Sequence, residues 1–118
     1  MKFQSTNVTV MVSDMKKATA FYRDVLGFEL VKEYGGEWAD VMAPGGLKLG
    51  LHPGGKLPLK PHSRHLSIGL QVEDLDAAAK ALAAKGVKFE EAPADRGVRL
   101  AYFTDPDGNP FYLAEVKW

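Results

Sequence analysis

The chain has 118 residues, with 15 basic and 15 acidic side chains and no cysteine. A chain of this length buries roughly 65% of its unfolded surface, enough for one domain with a core, and the missing cysteine excludes disulfides, thiolate nucleophiles and Cys-ligated metals and fits a reducing compartment. Balanced charge without a basic run argues against a nucleic-acid partner, the apolar runs are too short to cross a bilayer, and the opening MKFQSTNVTV lacks the apolar core of a signal peptide, so a cytoplasmic location is expected.

The first element is an alternating strand. Val8, Val10 and Val12 point one way, and Asn7, Thr9 and Met11 the other. It stops at Asp14, a helix-capping residue. Met15, Ala18, Tyr22 and Val25 then form one stripe, which predicts a helix over 15–26 ending at Gly27. Extended segments are expected at 28–34 and 37–42. The turn APGG at 43–46 feeds a closing strand at 47–51.

The stretch HPGGKLPLKPHSR at 52–64 contains three Pro and two Gly and reads as a linker. After it the pattern repeats. Leu66, Ile68, Leu70 and Val72 share one face of a strand, and His65, Ser67, Gly69 and Gln71 share the other. Asp74 caps a helix predicted over 75–85, with Leu75, Ala78 and Leu82 as its stripe and Gly86 past its end. Segments at 87–91 and 98–104 follow. The turn DPDGN at 105–109 then feeds a last strand at 111–116, with Pro110 at its start, where a missing N–H is harmless.

The chain therefore reads as α+β, two tandem βαβββ modules, with an offset near sixty residues between the halves. Module 1 covers about 3–51 and module 2 about 65–118, within a single domain of 1–118. Helices are expected on the apolar faces of two curved mixed sheets. The half-polar faces would then enclose a cavity, and a homodimer supplies a partner for them most simply.

The repeated βαβββ pattern, the stretch VTVMVSDMKKATAFYRDVLGF and the closing FTDPDGNPFYLAEV resemble the vicinal oxygen chelate superfamily. That group includes glyoxalase I, extradiol dioxygenases, fosfomycin-resistance enzymes and bleomycin-resistance proteins. The resemblance implies that a divalent metal, where present, is held by His, Glu or Gln on the first and last strand of each module. Carried over by the capping Asp residues and the Pro-Gly turns, those positions are Asn7, Gly50, Ser67 and Tyr112. None is a strong donor for a divalent ion. The expectation is therefore a protein without metal or other cofactor that binds a small molecule in the manner of the bleomycin-resistance branch. Such a protein would act by sequestering an aromatic, antibiotic-like ligand, and few carboxylates on the open faces favour a neutral or weakly charged one.

The candidate ligand-binding residues are Asn7, Thr9, Met11, Trp38, Gly50, His65, Ser67, Gln71, Tyr102 and Tyr112. Trp38 is either an aromatic cavity wall or a core residue at a subunit seam. Tyr112 either stacks on a ligand or fills the space of a missing metal. No catalytic residue is assigned. The alternative is a metal-dependent lyase, isomerase or dioxygenase with a shifted site built on His52 and His65, whose blander role is as strand-end rim residues. A third possibility is an accessory module with no ligand. Arg64, Arg96 and Arg99 would suit an anion but are equally at home as solvated surface. Glu115 has the wrong parity to face the cavity.

Overall fold

Both capping aspartates start a helix. The Asp14 carboxylate accepts from the Lys17 N–H at 3.1 Å, and that of Asp74 from the Ala77 N–H at 3.0 Å. The computed structural model describes residues 1–2, 4–54, 66–91 and 98–116. The fold is α+β, with two βαβββ modules, each building one four-stranded mixed sheet. The chain divides into two units, Met1–Lys60 and Pro61–Trp118.

In the first unit the elements are β1 (Val8–Val12), α1 (Met15–Ala20), β2 (Glu29–Tyr34), β3 (Trp38–Met42) and β4 (Lys48–Pro53). The strand order is β1-β4-β3-β2, with β1 and β4 parallel and the other neighbours antiparallel. One face is the core: Val10, Val12, Ala39, Val41, Leu49 and Leu51 are all buried under Ala18 and Tyr22 of the helical segment. After Ala20 the helix widens into a π-helical stretch, Phe21–Val25. There the Leu26 N–H donates to the Phe21 carbonyl, five residues back, at 3.0 Å. The widened turn leaves Tyr22 fully buried, edge-on to both Phe21 and Phe28. The expected helix of 15–26 is thus α-helical only in its first half.

The second unit holds β5 (Ile68–Gln71), α2 (Leu75–Ala83), β6 (Glu90–Glu91), β7 (Val98–Thr104) and β8 (Pro110–Val116). Its order, β5-β8-β7-β6 with β5 parallel to β8, repeats that of the first. The core face carries Leu75, Val87, Ala101, Phe103, Phe111 and Leu113. Phe103 stacks on Phe111 at 5.2 Å and meets Phe89 edge-on. Helix α2 closes with the paired bonds of a Schellman motif: Gly86 N–H to the Ala83 carbonyl and Val87 N–H to that of Leu82. Gly86 takes φ 95°, the left-handed conformation that the motif needs.

Three boundaries differ from the sequence reading. Strand β4 runs on through His52 and Pro53, two residues the linker was expected to claim, because both pair with β1, as partners of Met11 and Val12. Strand β5 starts only at Ile68, and Leu66, expected on the buried face, is 83% exposed. Strand β6 shrinks to two residues, paired with Tyr102 and Ala101. Residues 55–64 of the predicted linker, His62 and Arg64 among them, together with His65, Arg96 and Trp118, lie outside the described residues.

Candidate functional site

The turn before β8 fixes where that strand begins. The Asp105 side chain is buried and accepts from the N–H groups of Asp107 (2.9 Å) and Asn109 (2.8 Å) and from the Asn109 amide (2.7 Å). Gly108 closes the turn at φ 85°. From Pro110 onward, alternation sends Phe111, Leu113 and Glu115 to the helix side and Pro110, Tyr112 and Ala114 to the open side. Strand β7 is locked to the same register: Tyr102 opposes Tyr112, Leu100 opposes Ala114 and Thr104 opposes Pro110.

These residues floor a hollow of about 580 Å³ on the open face of the second sheet. Tyr112 and Pro110 come from β8, and Leu100, Tyr102 and Thr104 from β7. Ser67 lines it just ahead of β5. Glu90 of β6 and the nearby Lys88 complete the rim. The Tyr102 and Tyr112 rings meet at 67° with centroids 6.3 Å apart, so they form an aromatic corner. Lys88 and Glu90 are the two charged residues of the lining and have opposite signs, so their charges cancel. The size and mixed lining suit a small organic molecule.

Tyr112 does not stand up from the sheet. A Cβ added to Gly69, its neighbour on β5, would lie 2.7 Å from Tyr112 Cε2 and nearer still to its Cζ and hydroxyl. The ring therefore lies over the bare backbone of Gly69. The first sheet repeats the device one strand over. There a Cβ at Gly50 would fall 2.6 Å from Trp38 Cε2 and nearer to two other ring atoms. The Trp38 indole N–H donates to Asp40 Oδ1 at 2.6 Å, and the ring sits 5.8 Å from that of His52.

Of the expected site residues, Ser67, Tyr102 and Tyr112 are brought together in the hollow. Gln71 opposes Ala114 near the other end of β5, is exposed and does not line it. Thr9, Met11 and Trp38 share the open face of the first sheet, and Asn7 is exposed just before β1. Gly50 is a correction: expected on an open wall, it is buried, because the Trp38 ring covers it. His65 lies outside the described residues. Lys88, Glu90, Leu100 and Pro110 also line the hollow and were not among the expected residues; Leu100 and Pro110 share parity with Tyr102 and Tyr112 on their own strands, whereas Glu90 comes there only through its pairing with Tyr102. Gly69 was missed as well, and its signal was a glycine in the middle of an alternating strand.

The four positions that the resemblance assigns to metal ligands do not suit a divalent ion. Gly50 offers no donor and lies under an indole, and the outer half of the Tyr112 ring lies over Gly69. Asn7 and Ser67 are neutral, weak donors. The His52 Nδ1 sits 3.0 Å from the Glu37 carbonyl oxygen. Among the described residues, no group of three His, Asp or Glu side chains gathers as a metal site would require. Arg99 is not aimed at an anion site. It faces the helix side of the second sheet, pairing with Asp76 at 2.9 and 3.2 Å and with Glu115 at 3.5 Å. The hydrogen bonds and charge of Asp76 raise its pKa above the ordinary arginine value. Glu115 is buried and accepts from the Leu75 N–H at the start of α2, at 3.1 Å. Among the described residues, no helix is long and apolar enough to cross a membrane.

Residues 5–113 match the Glyoxalase/Bleomycin resistance protein/Dioxygenase superfamily. The uncharacterized protein YaeR of Escherichia coli (strain K12) is 32% identical, over 95% of this chain and 95% of its own length. Among solved structures, TnmS3, an antibiotic binding protein from Streptomyces sp. CB03234, superposes with a TM-score of 0.73 at 28% identity, covering 98% of this chain and all of its own. The E126Q mutant of FosX, a fosfomycin resistance protein from Listeria monocytogenes complexed with Mn(II) and 1S,2S-dihydroxypropylphosphonic acid, gives 0.78 at 26% identity. It covers 99% of this chain and 93% of its own.

Proposed function

The chain belongs to the glyoxalase/bleomycin resistance protein/dioxygenase superfamily, and from that premise we propose that it is a metal-independent binding protein that sequesters a small, neutral, aromatic, antibiotic-like molecule. The observation that carries this reading is the corner of Tyr102 and Tyr112 in the hollow of the second sheet. Two ring faces set at a steep angle offer stacking and edge contacts to one flat guest. Lys88 and Glu90 offset each other at the rim, which favours a guest without strong net charge over a cationic or anionic one. The similarity to TnmS3, itself an antibiotic binding protein, supports the same direction.

In this reading the protein works in the cytoplasm as a homodimer. Protection follows from binding alone, with no bond made or broken. A thermal-shift screen against aromatic antibiotics and divalent metals tests the proposal. A compound present at one hundred times its Kd adds about 2.7 kcal/mol of stability, readily seen as a rise in melting temperature.

The similarity to a FosX structure holding Mn(II) motivates a second reading, a metal-dependent lyase, isomerase or dioxygenase with a shifted site at His52 and His65. Metal analysis of protein purified without chelator or affinity tag separates the two. One divalent ion per chain, lost on His52→Ala, would overturn the binding reading in favour of the enzyme.

A further inference from the structure

We propose that Gly69 is a specificity-determining residue of the hollow. Because it lacks a Cβ, it lets the Tyr112 ring lie down across the sheet with its hydroxyl end over Gly69, so that the hollow presents the ring rather than a hydroxyl tip to what enters. This inference rests on the binding reading above and names the feature of that site which selects a flat guest.

Glycine in the middle of a strand is ordinarily unfavourable, because it loses more backbone freedom than other residues and packs nothing. A left-handed backbone would explain one, but the positive-φ glycines among the described residues are others, Gly27, Gly35, Gly45, Gly46, Gly86 and Gly108. The φ of Gly69 lies outside the left-handed region, so backbone conformation does not call for glycine there, and the reason is space. The space is filled by one neighbour. The three atoms nearest to an added Cβ are Cζ, the hydroxyl oxygen and Cε2 of Tyr112, the outer half of a single ring. Strand pairing sets that contact, since Gly69 and Tyr112 are direct partners in the parallel β5–β8 ladder.

The hydroxyl end of the ring is therefore spent on Gly69, and Tyr112 lines the hollow. With Tyr102 at 67° to it, the seated ring makes a shelf and a wall. A planar aromatic guest lies on the shelf with its edge to the wall, whereas a puckered ring of the same size touches the shelf with fewer atoms. A side chain at 69 would tilt Tyr112 off the sheet and into the space the guest needs.

The experiment has two arms. The first compares urea midpoints of the parent, Gly69→Ala, Tyr112→Ala and the double variant. Gly69→Ala is expected to lower the midpoint in the parent and to leave it unchanged or raise it when Tyr112 is already alanine. An equal loss in both backgrounds, or failure of both Gly69→Ala proteins to fold, would overturn the seat, because something other than the ring would then exclude the Cβ. The second arm titrates 2-naphthol and decahydro-2-naphthol by calorimetry. The parent is expected to prefer 2-naphthol by up to about tenfold, and Gly69→Ala to lose that preference. Equal binding of the two alcohols by the parent would overturn the selectivity while leaving the hollow a binding site. Binding of neither would overturn the binding reading itself and the selectivity with it.

Discussion

The indole of Trp38 lies across Gly50 and is held there by a 2.6 Å hydrogen bond from its N–H to Asp40. Glycine at 50 is thus a requirement of the neighbouring ring, and the ring's polar edge is satisfied by the residue two places along its own strand. Gly50→Ala should cost about 1–3 kcal/mol, the usual range for overpacking a tight site. In a Trp118→Phe background the Trp38 emission should shift to the red as the ring is lifted into water. An unshifted spectrum with full stability would mean that the ring does not rest on Gly50.

Tyr112 and Leu113 are adjacent, yet truncating them should do different things. Leu113 is 2% exposed on the helix side, so Leu113→Ala should lose about 2–5 kcal/mol as a core truncation. Tyr112→Ala should cost little stability but weaken 2-naphthol binding by about tenfold, the worth of one good stacking contact. Urea unfolding and calorimetry on both variants check this. If Tyr112→Ala unfolds the protein while affinity per folded molecule is unchanged, the ring is only a filler.

Glu115 ties β8 to the start of α2. One carboxylate oxygen accepts from the Leu75 N–H at 3.1 Å, and the other faces Arg99 at 3.5 Å. Glu115→Ala removes the acceptor for an N–H at a buried helix start and should cost about 1–3 kcal/mol. Glu115→Gln keeps an acceptor and loses only the charge, so its midpoint in urea should fall between those of the parent and the alanine variant. Equal losses would place the contribution in the charge pair with Arg99 instead.

Asp105 organises the turn that starts β8 through three hydrogen bonds to one buried carboxylate. Asp105→Ala should destabilise by about 1–3 kcal/mol or more, since the N–H groups of Asp107 and Asn109 lose their acceptor. Asp105→Asn keeps one acceptor oxygen and should recover part of that loss. Because the turn sets the start of the strand, 2-naphthol binding should weaken alongside stability. A stable Asp105→Ala protein with unchanged binding would show that strand pairing alone sets the register of Tyr112.

What the sequence determined by itself is what local chemistry writes. The paired helix caps at Asp14 and Asp74, the left-handed glycines at 27 and 86, and the DPDGN turn are each specified by residues within a few positions of one another. Period-2 alternation likewise placed Tyr112 and Tyr102 on the open face and Leu113 on the other, because the pleat admits no other arrangement. Tertiary structure decided the rest. Whether His52 belonged to a linker or a strand depended on its partner Met11, forty-one residues earlier in the chain. That Glu115 caps a helix forty residues before it could not be read from its neighbours. Nor could the roles of Gly50 and Gly69, which in sequence are only missing side chains. They acquire a function when strand pairing lays Trp38 and Tyr112 over them, and that contact is made by residues from different strands brought together only in the folded sheet.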